Sequence, residues 1–432
     1  MFAVGCGGGA TTTADSGLFG GPRDSSSPVH DATFDVRDAA PDATTHDATT
    51  HDATSLDAVG DGDGDTGVHV DAGGGDAIAD AILDGPPYYA PAACNAPCTS
   101  TCTGICSAGN CYDVLVPDAS ADNASVVVDT NSLYWAGQGA DGSAFDYTIV
   151  RDPTSGTGTP SVIGSYAADP EGGYLITGPV AGGFGGAFFT TQGGSSSGPG
   201  FLFGAFADAG MRLLYAPTMG LIFGVAANDG GVYASMTSGT TSEFLRVAID
   251  GGAAKTLYSD SSYLAYGLVV NQKSFASIIL HATDRSYAGV VTGALDGSTP
   301  LLQVAQGTDV GSDSLAVDAT YVYWGGPPTI AGYNYPTTIY RAPISGGPKE
   351  LVVHDDLIDS FAVDSTNIYW AVTHPTGPSG SGSAFTYSQA KTSTVTLGGP
   401  ITLLGCQDTA GIIIDSTYVY VDAFPSISRL PK

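Results

Sequence analysis

Positive charge is scarce in this chain: 13 Lys and Arg stand against 43 Asp and Glu in 432 residues, a formal net charge of −30. The basic stripe that a nucleic-acid backbone demands is missing, which excludes nucleic acid as a partner. No uninterrupted apolar run of roughly 18 residues occurs, so no segment is suited to cross a bilayer as a helix. Helical periodicity of apolar positions is absent too, which argues against helical and α/β folds. Cysteines number only seven and avoid the paired Cys-x-x-Cys spacing of a zinc site. Of the seven His, only His281, His354 and His374 follow residue 111, and none lies in a nucleophile or metal motif.

Against these absences stands a recurrent segment. Phe361-Ala-Val-Asp-Ser-Thr-Asn-Ile-Tyr-Trp370 has near copies at Val126 to Trp135, Leu315 to Trp324 and Ile412 to Tyr420. The Asp after the apolar triplet anchors each copy, at Asp129, Asp318, Asp364 and Asp415. Weaker copies place Asn228 and Asn271 in that slot, and a degraded one lies around Gly178 to Ala181 before Ala187-Phe-Phe189. The resulting seven anchors are spaced by 43 to 52 residues, the period of propeller and solenoid repeats.

Each unit has a second half, clearest in Thr338 to Val353, with relatives at Glu243 to Gly252, Val290 to Gly297 and Gly200 to Gly210. One unit thus reads as four short strands of β-branched and aromatic residues, separated by Asp-x-Thr, Gly/Pro/Ser and Gly-Gly turns. That describes an all-β chain folded as a seven-bladed β-propeller, six or eight blades being the neighbouring alternatives. After Asp415 there is room for three strands only, ending in Ser426-Ile-Ser-Arg-Leu-Pro431. Asp113-Val-Leu-Val-Pro117 matches the missing fourth, so an N-terminal strand is expected to complete the last blade and leave no open edge.

The Val-Asp, Tyr-Trp and Leu-Asp-Gly-like pattern resembles the YWTD repeats of receptor propellers and related bacterial surface-protein repeats. The resemblance spans roughly Tyr112 to Lys432, with full Tyr-Trp pairs at Tyr134-Trp135, Tyr323-Trp324 and Tyr369-Trp370. Six blades are usual in that family, and the count here is seven.

Composition divides the rest. Residues 7–85 hold sixteen Asp, no Lys and only Arg23 and Arg37. Such a segment cannot bury a core, and residues 7–90 are expected to form a disordered acidic stalk. Asp61-Gly-Asp-Gly-Asp65-Thr-Gly67 imitates the alternating carboxylates of a calcium loop. Its Gly falls one place late and Ala72 stands where a Glu is needed, so it reads as spacer, and no metal or cofactor is expected. Residues 91–111 carry Cys94, Cys98, Cys102, Cys106 and Cys111 among Pro, Thr, Ser and Gly, while Cys406 stands alone after the fourth strand of blade 6. Disulfides are the expected state, with one cysteine of the five bonded to Cys406 and the small module stapled to a propeller that spans residues 112–432. Met-Phe-Ala-Val-Gly-Cys6 ends like a bacterial lipoprotein cleavage box, which would make residues 1–6 a signal remnant and Cys6 the lipidated residue. The charged start and apolar core of a signal peptide are not present in it; a start assigned too late explains this, and so does chance in a Gly-rich segment.

Function is expected where the repeat breaks. Asp129, Asp318, Asp364 and Asp415 imitate catalytic carboxylates, yet each opens an Asp-x-Thr or Asp-x-Asn turn in which the carboxylate accepts backbone N–H groups. Arg151, Arg246, Arg341 and Arg429 share another slot, which points to blade packing, with Asp-to-Arg pairing as one form of it. The long links between second and third strands, at Gly137 to Asp146, Thr190 to Pro199, Gly325 to Thr337 and His374 to Thr386, carry Phe145, Tyr333, Tyr335, Phe385 and Tyr387 as candidate stacking residues for a sugar or peptide. The chain is therefore read as a monomeric, secreted or surface-anchored binding module for an extracellular saccharide or protein. It would touch membrane only through lipid, with no catalytic residues assigned. A polysaccharide lyase or hydrolase with its site in the central funnel is the alternative.

Overall fold

The computed structural model describes residues 96–98, 101–102, 104–116, 126–129, 131–138, 146–155, 159–167, 175–176, 181–192, 200–311, 314–327, 336–355, 357–375, 382–391, 402–406, 411–423 and 426–432. Cys6, the acidic segment, Asp61 to Asp65, Cys94, Phe145, Tyr333 and Tyr335 lie outside them. Within the described residues thirty strands form seven antiparallel sheets, and one short 3₁₀ turn, Gly307–Asp309, is the sole helical element. First strands of successive sheets touch one another in a complete cycle, so the sheets are seven blades of a closed propeller. Blades 1, 3, 4, 5 and 6 are four-stranded meanders. In blade 2 the first position is shared by two fragments, Leu175–Ile176 and Ala181–Gly183, both paired to Gly186–Gln192. This is where the degraded repeat was expected.

Closure follows the sequence expectation. Blade 7 comprises Gly411–Ile414, Tyr418–Ala423 and Ser426–Pro431, and its fourth strand is Asn110–Val116 from the other end of the propeller. A fifth strand, Ile105–Ser107, continues the sheet outward as a hairpin with Asn110–Val116. Cys98–Cys106 and Cys102–Cys111 tie one strand each of that hairpin to the segment before it. Its Asn110 donates to the carbonyls of Leu403 and Leu404 on blade 6, and Ser107 Oγ accepts from Cys406 N at 2.7 Å. Cys406 is itself disulfide-bonded, to a partner outside the described residues.

The repeat motif is explained by how side chains alternate along a strand. Seven apolar clusters fill the seven blade-to-blade interfaces. In each Tyr-Trp pair the two rings point to opposite faces. Trp324 packs backward with Ile278 and Val290 of blade 4, whereas Tyr323 packs forward with Phe361 and Trp370 of blade 6. Trp370 and Tyr369 repeat this one blade on, Tyr369 joining Ile412 and Val419 of blade 7. One dipeptide therefore supplies two interfaces. The ring grows from large aromatic groups that are essentially solvent-free: Tyr134, Tyr323 and Tyr420 are all 0% exposed.

Candidate ligand-binding face

The Asp of every clear repeat closes the turn between the first and second strands, and its carboxylate is used up by the scaffold. Asp129 Oδ1 accepts from the backbone N–H of Asn131 and Ser132 while Oδ2 accepts from the Tyr134 hydroxyl at 2.8 Å. Asp318 does the same with Thr320, Tyr321 and Tyr323, Asp364 with Thr366, Asn367 and Tyr369, and Asp415 with Thr417, Tyr418 and Tyr420. Burial, joined by the adjoining carboxylate, pushes the Tyr134 hydroxyl up to about 12 and drives Tyr323 and Tyr420 upward as well. A buried phenol needs an acceptor, and the turn Asp provides it.

Where Asn replaces Asp, the spare nitrogen is reassigned. Asn271 Oδ1 still caps Lys273 and Ser274, but Nδ2 donates to the Asp318 carbonyl of blade 5 at 2.6 Å. Asn228 reaches the Asn271 carbonyl in the same manner. Two lysines perform the converse bridge. Lys391, just after the third strand of blade 6, meets Asp318 of blade 5, and Lys432 of blade 7 meets Asp364 of blade 6 at 2.8 Å. Burial works against the Asp318 carboxylate, yet Lys391, two backbone N–H groups and Tyr323 outweigh it and hold its pKa below the usual value. The turn face is thus a rigid, laterally bonded surface.

The slot arginines do not pair with the turn Asp residues, as the sequence reading had allowed. Two of the four, Arg341 and Arg429, take their acid instead from the fourth strand directly opposite. Arg341, 2% exposed, forms an ion pair with Glu350 at 2.8 Å and stacks on Tyr321, and Arg429 faces Asp113 at 3.4 Å and stacks on Tyr418. Oδ2 of the turn Asp is taken instead by the tyrosine hydroxyl of the same blade.

Phe385 and Tyr387 are not loop residues. The second and third strands of blade 6 run through Pro375 and from Gly382, longer than the Gly- and Ser-rich flanks implied. Alternation then turns Phe385 and Tyr387 into the interface with blade 5, where they are 1% and 2% exposed and the Tyr387 ring lies 5.6 Å from Trp370. They are core, and stacking on an external ligand is closed to them. Of the histidines, His281 ends its strand exposed beside Tyr263, and His354 is half-buried at the end of Glu350–His354. Among the described residues no group of three or more His, Cys, Asp or Glu is placed to hold a metal ion.

Concave surface is concentrated on the turn face. A groove of about 1130 Å³ crosses blades 3, 4 and 5. Val270, Leu301, Leu302 and Ile344 make its apolar walls, and Gln272, Lys273 and Thr320 its exposed polar rim. A second depression, about 360 Å³, lies between blades 2 and 3 and is lined by Phe184, Gly231, Arg246, Val247 and Lys255. Phe184 was not singled out by sequence. It sits at φ 54° in the two-residue turn Phe184-Gly185, a backbone region that costs a residue with a side chain about 1–2 kcal/mol, and its ring stays 41% exposed.

No protein-family model and no curated protein matches the chain. Solved structures resemble it in fold. The β-propeller domain of the Trilobed protease from Pyrococcus furiosus aligns with TM-score 0.49 and 8% identity over 73% of this chain and 94% of that one. BamB from Moraxella catarrhalis aligns with TM-score 0.45 and 7% identity over 76% and 87%. A chain of a nidogen/laminin complex aligns with TM-score 0.40 and 14% identity over 59% and 88%.

Proposed function

We propose that the protein is an extracytoplasmic β-propeller that binds an extended polypeptide segment of a partner through its turn face. The observation that carries this reading is the 1130 Å³ groove over blades 3 to 5, walled by Leu301, Leu302 and Ile344 and rimmed by Gln272, Lys273 and Thr320. Apolar walls with a few polar rim groups suit alternate side chains and main-chain amides of a strand-like ligand. Inter-blade bonds from Asn228 and Asn271 pre-form the groove, so little ordering entropy is lost on binding. Disulfides persist in oxidising compartments, which supports the extracytoplasmic placement. Lipidation at Cys6 and a ligand role for Phe145, Tyr333 and Tyr335 remain part of the proposal.

The test is selection of displayed peptides on the immobilised full chain, followed by calorimetry with Leu302→Asp and with the double variant Tyr333→Ala/Tyr335→Ala. Burying a carboxylate against the apolar wall is expected to weaken the selected peptide at least about tenfold, a loss of about 1.4 kcal/mol. Unchanged affinity in Leu302→Asp, with loss in the tyrosine variant, would move the ligand to the loops between second and third strands and refute the groove.

A further inference from the structure

Blades 5 and 7 place an acid across from their slot arginine, whereas Arg151 of blade 1 faces Ser161 and the slot arginine of blade 3 faces another cation. In blade 5 Arg341 lies directly across from Glu350, and in blade 7 Arg429 lies across from Asp113. Blade 3 presents Arg246 across from Lys255, in the same cross-strand register and at the same spacing of nine residues as Arg341 and Glu350. Directly opposed like charges repel on one face of a sheet. Both residues are exposed, whereas Arg341 and Arg429 are buried. Among the described residues neither makes a salt bridge: Arg246 donates to the Gly230 carbonyl, and Lys255 feels Asp296 on blade 4 through space only, that carboxylate accepting its hydrogen bond from Ser298 N.

The surroundings are built to keep this pair open. Gly231 adopts φ 154°, and a Cβ there would stand 3.1 Å from Arg246 Nε, so the absence of a side chain leaves the guanidinium its place. Across the depression the Phe184 ring is held edge-on against buried Phe188 at 6.4 Å. Two cations without a salt-bridge partner beside one exposed ring make a small concave site in a domain whose residues 112–432 are strongly acidic.

We propose that Arg246, Lys255 and Phe184 form a binding site for a uronic acid unit of an acidic saccharide. The carboxylate would lie between the guanidinium and the ammonium, and the apolar face of the sugar ring on Phe184. At about 360 Å³ the depression is at the small end of the range for small-molecule sites, large enough for one or two sugar rings and too short for an extended peptide. The proposal does not rest on the groove over blades 3 to 5.

The experiment titrates the full chain with an alginate trisaccharide, maltotriose and tetra-aspartate at low ionic strength. Alginate is expected to bind with Kd of roughly 0.1–1 mM, and maltotriose at least about tenfold more weakly. Lys255→Glu restores the acid found in blades 5 and 7, so this variant is expected to fold at least as stably as the parent while losing alginate affinity about tenfold or more. Phe184→Asn, which suits the same turn, is expected to weaken alginate and leave stability intact. Leu302→Asp should leave alginate binding unchanged. Failure of alginate to bind overturns the proposal, as does full affinity in Lys255→Glu. Tetra-aspartate binding as tightly as alginate, with no effect of Phe184→Asn, overturns the saccharide assignment in favour of an acidic peptide.

Discussion

If the turn Asp exists chiefly to satisfy a buried phenol, deleting both partners should cost less than the two deletions summed. Blade 7 offers the cleanest case, because Tyr420 is 0% exposed and donates to Asp415 Oδ2 at 2.7 Å, while Oδ1 receives Thr417 and Tyr418 N–H. Asp415→Ala removes two caps whose N–H groups lie near solvent, each worth about 0.5–1 kcal/mol, and strands the Tyr420 hydroxyl, for about 1–3 kcal/mol more. Tyr420→Phe alone removes a charge-assisted bond from a carboxylate that water can reach, about 1 kcal/mol. In the double variant no hydroxyl is left stranded, so only the cap loss of about 1–2 kcal/mol should remain and the coupling should be about −2 to −4 kcal/mol. The assay is urea unfolding followed by tryptophan fluorescence, comparing midpoints at unchanged slope. Additivity within about 0.5 kcal/mol would refute the reasoning and reduce the Asp to a turn cap.

Three further outcomes are expected. Asp422 is half-buried, and burial pushes its carboxyl up to about 6, so the folded state holds its proton more tightly; that contribution is complete below pH 4 and lost between pH 4 and 6. Asp422→Asn should therefore stabilise the protein by about 1–2 kcal/mol at pH 7.5 and leave it unchanged at pH 3.5, and equal effects at both pH values would exclude the linkage. Tyr134 and Tyr369 are held up to about 12, chiefly by burial, so stability should fall as pH rises from 10 to 12; thermal melts across that window should show a steeper drop than melts of a Tyr369→Phe variant. Finally, Cys98, Cys102, Cys106 and Cys111 are mutually paired, so Cys94 is the partner expected for Cys406; mass spectrometry of an unreduced digest should find that cross-linked peptide, and a free thiol at Cys406 would contradict it.

Most of the architecture was legible because every blade interface is built from the same alternation. A period-two pattern with a Tyr facing one neighbour and a Trp the other leaves a signature in blades 1, 5 and 6. Where Asn228 and Asn271 replace Asp the alternation survives without the full pair, with Tyr233 in the Tyr slot of blade 3 followed by Ala234, and Phe275 one place before that slot in blade 4. The closing strand was legible for the same reason, since Asp113 to Val116 repeats the pattern of Glu350 to Val353. Phe385 and Tyr387 were misplaced because Gly and Ser dominate residues 377–383, and composition outweighed the alternation that continues through Thr386 into Tyr387. Phe184 carries no signal of its own, because its exposure depends on a two-residue turn visible only once Gly183 is seen to pair with Gly186. The cation pair did leave a trace. Lys255 follows Arg246 at the interval at which Glu350 follows Arg341, and a comparison of fourth-strand residues across units would have exposed the reversal of sign.

In a molecule made of repeats, the informative positions are those where one copy places a charge that its counterparts in other copies do not carry. Lys255 replaces the acid that neutralises Arg341 and Arg429, and Asp422 occupies a position that is Ala136, Gly325 and Ala371 in blades 1, 5 and 6. Each substitution introduces charge where the scaffold would be more stable without it, by repulsion in one case and by desolvation in the other. A change to Glu at 255 or to Asn at 422 is expected to stabilise the fold, so stability is not the reason expected for either residue. Violations of local consistency concentrate at sites that serve something other than the fold. Long loops are the usual place to look for such sites on a propeller; here the exposed Arg246 and Lys255, neither in a salt bridge, instead place the proposed recognition element on the strand ends of blade 3, where the repeat supplies a rigid frame and one altered sign supplies the specificity.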